Sequence, residues 1–247
     1  MIMSMDRIAP VIAAAAVLAA GGAGAQERPG FRDTPLLPGG RWHVHDPDRP
    51  DPAPVTPGAT AGVAPSDAIV LFDGRSLDAW RSEHGPWQVK AGILTIPPRT
   101  KEAPANDLVS RQSFGDVQLH LEFRSPKPAQ GEGQDRGNSG IWFMQRYEVQ
   151  ILDGWRNPTY ADGTVGAVYG WKSPLANAAR APGEWQSYDI VFERPRFDAT
   201  GKLLRPAYVT AFLNGVLVQN HQAMLGTTAW RQVAHYEPHG DAAPLQL

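Results

Sequence analysis

There is no cysteine anywhere in the 247 residues. That excludes disulfide staples and thiolate-held metal sites together. Charge is also sparse: Asp, Glu, Lys and Arg make up 19% of the chain, and the net charge is −2. A chain so close to neutral offers no electrostatic footing for nucleic acid or for an anionic membrane surface. Beyond the first 25 residues no stretch of ten or more carries an apolar period of 3.6, so long amphipathic helices are not expected. There is no internal repeat, no G-x-S-x-G elbow, no phosphate loop, no zinc signature and no EF-hand loop. What the chain has in excess is glycine (25) and proline (23), the residues that punctuate many short strands.

Three segments follow from composition. Residues 1–25 read as a secretory signal: Ile8 to Ala20 is apolar but short for a membrane span, and Ala23-Gly24-Ala25 is a small-x-small cleavage pattern before Gln26. The competing reading is an uncleaved N-terminal anchor. Cleavage near Ala25-Gln26 implies a periplasmic or extracellular protein with no membrane association afterwards. Residues 26–65 read as an irregular Pro-rich linker, since prolines from Pro29 to Pro65 fix φ and remove backbone donors. Its only ligand-like patch is His43, His45 and Asp46, and a loose segment makes a poor preorganised metal site. Residues 66–247 form the globular part.

In that part short strand candidates recur. They include Trp87–Lys90, Ile93–Ile96, Asp107–Ser110, Val117–Phe123, Gln186–Phe192, Tyr208–Leu213 and Val216–Gln219, with Ala91-Gly92 and Asn214-Gly215 at hairpin turns. The most informative stretch is Arg136 to Asp153, which reads as a glycine-led turn followed by a hairpin. Strand alternation puts Tyr147, Val149 and Ile151 on one face and Glu148 and Gln150 on the other. Trp142, alternating with Ile141 and Phe143, falls on the Glu148 side if there is no bulge. The pattern predicts an all-β antiparallel sandwich with a polar floor on one hairpin.

The ordered motifs of residues 69–247 resemble the 3-keto-disaccharide hydrolase domain family. They run from Leu71-Phe72-Asp73-Gly74 through Gly137-Asn138-Ser139-Gly140-Ile141 and Tyr147-Glu148-Val149-Gln150-Ile151-Leu152-Asp153. They continue with Gly166-Ala167-Val168-Tyr169-Gly170, Pro182-Gly183-Glu184-Trp185 and Asn214-Gly215, and end at Pro244-Leu245-Gln246-Leu247. The resemblance implies a concanavalin A-like jelly roll acting on a carbohydrate whose C3 hydroxyl has been oxidised to a ketone. The chain departs from the family pattern at Trp171-Lys172, at Thr227-Thr228-Ala229, and at Leu247. After Leu247 an Asp-His-Gly stretch and one more strand are expected, so the sequence reads as C-terminally truncated, with an edge left unpaired.

A 3-keto sugar has an acidified C2–H, so a base there can expel the C1 substituent, and water then adds to the unsaturated ketone. Such a path needs a base, a stabiliser for the enolate oxygen and a proton source for the leaving group. Glu148 is the first candidate for the base or acid. Gln150 and Asn138 are expected to bind sugar hydroxyls, although Asn138 and Gly140 in a turn could simply supply positive φ. Arg136 is placed near the oxyanion. Trp142 is expected under the ring, with Tyr169 and Trp171 on the rim. His120 and His239 are candidates for a second acid/base, with His239 in a late loop read equally as a metal ligand. His120 qualifies only if its strand neighbours the hairpin; otherwise it is a surface histidine. No cofactor is certain; a divalent metal could join, with unknown ligands. The alternative reading is a glycan-binding module without chemistry. Oligomeric state is not legible.

Overall fold

The computed structural model describes residues 28–60, 62–82, 85, 87–97 and 107–247. The expected leader, residues 1–25, lies outside the described residues. The chain divides into two units, residues 1–54 and 55–247. Among the described residues no helix is long and apolar enough to cross a membrane.

In the first unit the described residues fold back on themselves around a Leu36–His43 bridge. The Phe31 amide donates to the His45 carbonyl at 3.0 Å, and the Thr34 hydroxyl donates to the Val44 carbonyl at 2.6 Å. Arg32 forks onto Asp48 at 3.0 and 3.1 Å. Proline prevents a regular ladder here, so side chains and ion pairs do the fastening.

The second unit is built from strands. They are β1 (Trp80–Ser82), β2 (Gln88–Lys90), β3 (Ile93–Thr95), β4 (Leu108–Phe114), β5 (Val117–Phe123), β6 (Ser139–Phe143), β7 (Tyr147–Ile151), β8 (Gln186–Glu193), β9 (Arg196–Phe197), β10 (Leu203–Arg205), β11 (Tyr208–Leu213), β12 (Val216–Ala223) and β13 (Ala243–Gln246). One sheet has the order β1-β4-β13-β6-β7 and the other β12-β11-β8-β5, while β2-β3 and β9-β10 are separate two-stranded pieces. The ladders are antiparallel, making the expected β-sandwich. The β2-β3 and β11-β12 hairpins turn at Ala91-Gly92 and Asn214-Gly215. All four residues have positive φ, as a two-residue turn matching strand twist requires.

The core sits between the two larger sheets. Ile141, Phe143, Tyr147, Val149 and Ile151 of β6-β7 meet Tyr188, Ile190, Phe192, Val209, Ala211 and Leu213 of β8 and β11. Phe143 stacks on Phe192 with ring centroids 4.7 Å apart. Because side chains alternate, this inward set turns Glu148, Gln150 and Trp142 to the outer side of the first sheet.

Two features depart from the sequence reading. No strand was anticipated beyond Gln219 in the 220–247 stretch, yet β13 lies in mid-sheet between β4 and β6. Its pairing with β4 shifts register between Pro244 and Gln246. In addition, β7 is buried along its whole length rather than on one face. Segment 165–169 runs along the free edge of β7. The Gln150 amide donates to the Ala167 carbonyl at 3.0 Å, and the Tyr169 amide donates to the Glu148 carbonyl at 3.3 Å.

Candidate active site

The outer side of the first sheet carries a cleft of about 270 Å³. Its floor is the β6-β7 hairpin, contributing Gly140, Trp142 and Glu148, with Asn138 and Ser139 at the entrance to β6. Its walls are Trp87, Ile96 and Pro97 on one side, with Asp107, Gln246 and Leu247 alongside. The floor follows from local pairing: Trp142 stands opposite Glu148, and Gly140 opposite Gln150.

Glu148 is 7% exposed. Its backbone amide donates to the Thr228 hydroxyl at 3.0 Å, and no cation is paired with its carboxyl among the described residues. Burial without a counter-charge pushes the carboxyl up to about 8, because the ionised form is deprived of water and gains nothing in return. Space for the carboxyl is provided by Gly140. A Cβ at that position would stand 2.2 Å from Glu148 Oε1 and 3.0 Å from its Cδ. Gly140 is therefore not a turn glycine. The positive φ of that turn belongs to Gly137 (61°), and Gly140 serves by leaving room.

The predicted site residues are scattered more widely than expected. Asn138 lines the cleft, and its side-chain amide donates to the Gln134 carbonyl at 2.9 Å. Gln150 shares the face of Glu148 but is 1% exposed and does not open onto the cleft. Its Nε2 donates to Gln134 Oε1 at 3.2 Å and to the Gly163 carbonyl at 3.1 Å. Gln150 Oε1 is buried without a hydrogen-bond partner among the described residues. Tyr169 is half-buried and its hydroxyl meets that of Tyr160 at 2.8 Å. Burial raises the Tyr169 phenol, and the Tyr160 hydroxyl and the charge of Glu148 add to the shift. Trp171 is exposed, with its indole N–H on the Ala223 carbonyl at 3.2 Å, and it lies outside the cleft lining.

Three placements are corrections. Arg136 does not face an oxyanion position. It binds the buried carboxylate of Asp153 at 2.8 Å and the Trp155 carbonyl at 3.1 Å, tying the β6 entrance to the β7 exit. His120 lies on β5, in the other sheet, where it pairs with Asp189 at 2.7 Å on the outer face. The whole core separates it from Glu148, since β5 pairs with β8 and not with the hairpin. His239 stands on the inward side of β7: its Nε2 meets the Tyr147 hydroxyl at 2.7 Å and its Nδ1 the Gly240 carbonyl at 2.8 Å. Both ring nitrogens are thus engaged, and burial lowers its pKa. Among the described residues no group of three or more His, Asp or Glu side chains is placed to hold a metal ion.

Several cleft residues escaped sequence reasoning, among them a hydrogen-bonded pair. Asp107 and Gln246 are joined across the cleft wall, with Gln246 Nε2 donating to Asp107 Oδ2 at 2.9 Å. Gln246 falls in the Pro244-Leu245-Gln246-Leu247 motif, and parity was a signal for both: Asp107, just ahead of β4, shares a face with Val109, and Gln246 alternates with the inward Leu245.

The 3-keto-alpha-glucoside-1,2-lyase-like domain matches this chain over residues 67–247. The chain belongs to that family. The cleft and both larger sheets of the lyase-like domain fall inside the matched region. A candidate glycosyl hydrolase from Parabacteroides distasonis ATCC 8503, known from its crystal structure, is 42% identical, with 86% of this chain and 91% of that chain covered at a TM-score of 0.75. A second candidate glycosyl hydrolase from the same organism is 17% identical over 72% of this chain and 85% of its own. Its TM-score of 0.47 is too loose a likeness to bear on the site. No curated protein matches the chain. Family and neighbour together support a glycosyl hydrolase-like lyase-like domain with a carbohydrate substrate.

Proposed function

We propose that the protein cleaves the glycosidic bond of 3-keto-glycosides by elimination followed by hydration, with Glu148 exchanging the C2 proton. The observation that carries this reading is a single buried carboxyl on the cleft floor, raised to about 8 and set beside an aromatic ring. Removing a proton from carbon calls for a stronger base than an ordinary carboxylate, and desolvation supplies it. At neutral pH about a tenth of such groups are ionised, and each ionised one is more basic than a solvated glutamate.

In the reaction the Glu148 carboxylate takes the C2 hydrogen, and the electron pair moves onto the C3 carbonyl oxygen. When that enolate collapses, the C1–O bond to the aglycone breaks and a C1=C2 double bond forms. Water then adds at C1, one of its protons going to the departing aglycone oxygen, and Glu148, its proton exchanged with solvent, protonates C2. The net change is hydrolysis with no redox step, so no oxidant enters this protein's own reaction. Trp142 offers the apolar face of a pyranose a place to stack, and Asn138 a hydroxyl partner at the cleft mouth. The family description, which names a 3-keto-alpha-glucoside, supports the substrate class. The leader reading of residues 1–25 supports export, and mature protein recovered from cells is expected to begin at Gln26.

Cleavage of a 3-keto-disaccharide in D2O tests the reaction. Deuterium is expected at C2 of the released 3-keto sugar, and Glu148→Gln is expected to lower turnover by at least about 100-fold while remaining folded. A product without deuterium at C2, or a Glu148→Gln variant of ordinary activity, overturns the elimination. Binding of unmodified oligosaccharides with no turnover of any keto-sugar would instead mark a glycan-binding module.

A further inference from the structure

Four side chains stand in one row across the first sheet. Glu148 on β7 is opposite Trp142 on β6, and Trp142 is opposite Gln246 on β13. Gln246 is opposite Val109 on β4, whose face is shared by Asp107 two residues earlier. Asp107, Gln246, Trp142 and Glu148 all line the cleft. The Gln246 amide is held at both ends, donating from Nε2 to Asp107 Oδ2 at 2.9 Å and accepting at Oε1 from Gln145 at 3.1 Å. Asp107 Oδ1 has no further hydrogen bond among the described residues.

We infer that Asp107 is a second catalytic residue, holding at C1 the water that protonates the departing oxygen and then completes hydrolysis. This inference rests on the elimination reading of Glu148. Strands β4 and β7 are three spacings apart, about 14 Å at the backbone. Asp107 leans toward β13 through Gln246, and Glu148 leans over Gly140 on β6. Both leans narrow that gap, and Asp107 and Glu148 line one cleft with Trp142 between their strands, where a sugar ring can lie.

The proton accounting then closes. As the C1–O bond breaks, the water on Asp107 Oδ1 gives one proton to the departing oxygen. The hydroxide left behind adds to C1, its electrons displace the C1=C2 pair toward the C3 carbonyl, and C2 recovers its proton from Glu148. Both carboxylates end as they began. Asp107 only holds and orients the water, whereas Glu148 alone cycles its proton.

Partition between exchange and cleavage is the test. A 3-keto-disaccharide is incubated in D2O, and both unconverted substrate and product are analysed for deuterium at C2. Asp107→Asn retains an acceptor for Gln246, so the wall stays in place. It is expected to let uncleaved substrate gain deuterium while cleavage drops about 100-fold. Gln246→Leu keeps the carboxylate but frees it, and is expected to shift the same partition to a smaller extent. Glu148→Gln should lose exchange and cleavage together. Cleavage by Asp107→Asn within about twofold of the unaltered protein, or equal loss of exchange and cleavage in that variant, overturns the assignment. If the unaltered protein itself leaves no deuterium at C2, the elimination reading fails first and this inference goes with it.

Discussion

Replacing Glu148 by glutamine changes stability as well as chemistry, and the two effects have opposite signs. An ordinary glutamate titrates near 4.5, and burial pushes this one up to about 8. The folded protein therefore keeps a proton that the unfolded chain releases, so the contribution of Glu148 to stability is most favourable below about pH 4.5, declines through the window from 4.5 to 8, and levels off above it. Taking one pKa unit as 1.36 kcal/mol, the cost at pH 7 is about 3 kcal/mol and at pH 9 about 5 kcal/mol, as upper values. Glutamine fills the same space without titrating. Urea unfolding of both proteins at pH 5, 7 and 9 should give a variant-minus-parent difference of about 1 kcal/mol at pH 5 that reaches about 3 kcal/mol at pH 7 and grows further at pH 9. Comparing the two proteins cancels the titrating groups that do not sense the charge of Glu148, Tyr169 being the one that does. The same ionisation should govern activity: kcat/KM is expected to rise tenfold per pH unit up to about 8 and then level, so the enzyme gains base strength where it loses stability. Parallel stability profiles for the two proteins would refute the buried, unpaired carboxyl. An activity that falls rather than rises through pH 8 would make Glu148 the acid and not the base.

Gly140→Ala should displace the Glu148 carboxyl, since the new Cβ would lie 2.2 Å from Oε1. A loss of about 1–3 kcal/mol in stability is expected by overpacking, with a larger proportional loss in kcat, and unchanged kinetics would count against Gly140 as the pocket for that carboxyl. Arg136→Met leaves the Asp153 carboxylate buried and without its cation. It should cost about 3 kcal/mol, lowering Tm on the order of 10 °C, and Arg136→Met/Asp153→Leu should recover much of it; a loss confined to kcat would restore Arg136 to the chemistry. Tyr147→Phe removes the hydroxyl that meets His239 Nε2. Because burial depresses His239, the folded form favours the neutral ring, and stability from this pair is lost as pH falls below the ordinary histidine range. The variant should therefore be about 1 kcal/mol less stable than the parent at pH 8 and nearer to it at pH 5; a constant gap would show that the pair does not titrate.

How far the site could be read from sequence tracks how far apart its parts lie along the chain. Trp142 and Glu148 are joined by a short hairpin, so period-two alternation places them correctly with no knowledge of the rest. The limits of β5 and β11 are likewise read from alternation, since one face of each strand meets the core. His120 failed because its alternation says which residues share its face but not which strand lies beside it, and β8 took that place. His239 and Arg136 failed for a similar reason. Each has a chemically apt side chain whose actual partner, the Tyr147 hydroxyl or the Asp153 carboxylate, is equally apt and closer. Strands β9, β10 and β1 are too short for a periodic signal. β13 is recognisable only by the gap it fills between β4 and β6.

Local chemistry in the sequence by itself determined the sandwich class, the hairpin turns at Ala91-Gly92 and Asn214-Gly215, and the outward glutamate beside a tryptophan. Tertiary structure alone decided that this glutamate is buried. A strand pattern describes two faces, but a loop along the β7 edge and the β2-β3 wall cover the face that alternation leaves open. It also decided that Asp107 and Gln246 share the cleft, 41 and 98 residues from Glu148 in the chain. Strand order depends on long-range burial summed over both sheets, and no local spacing encodes it.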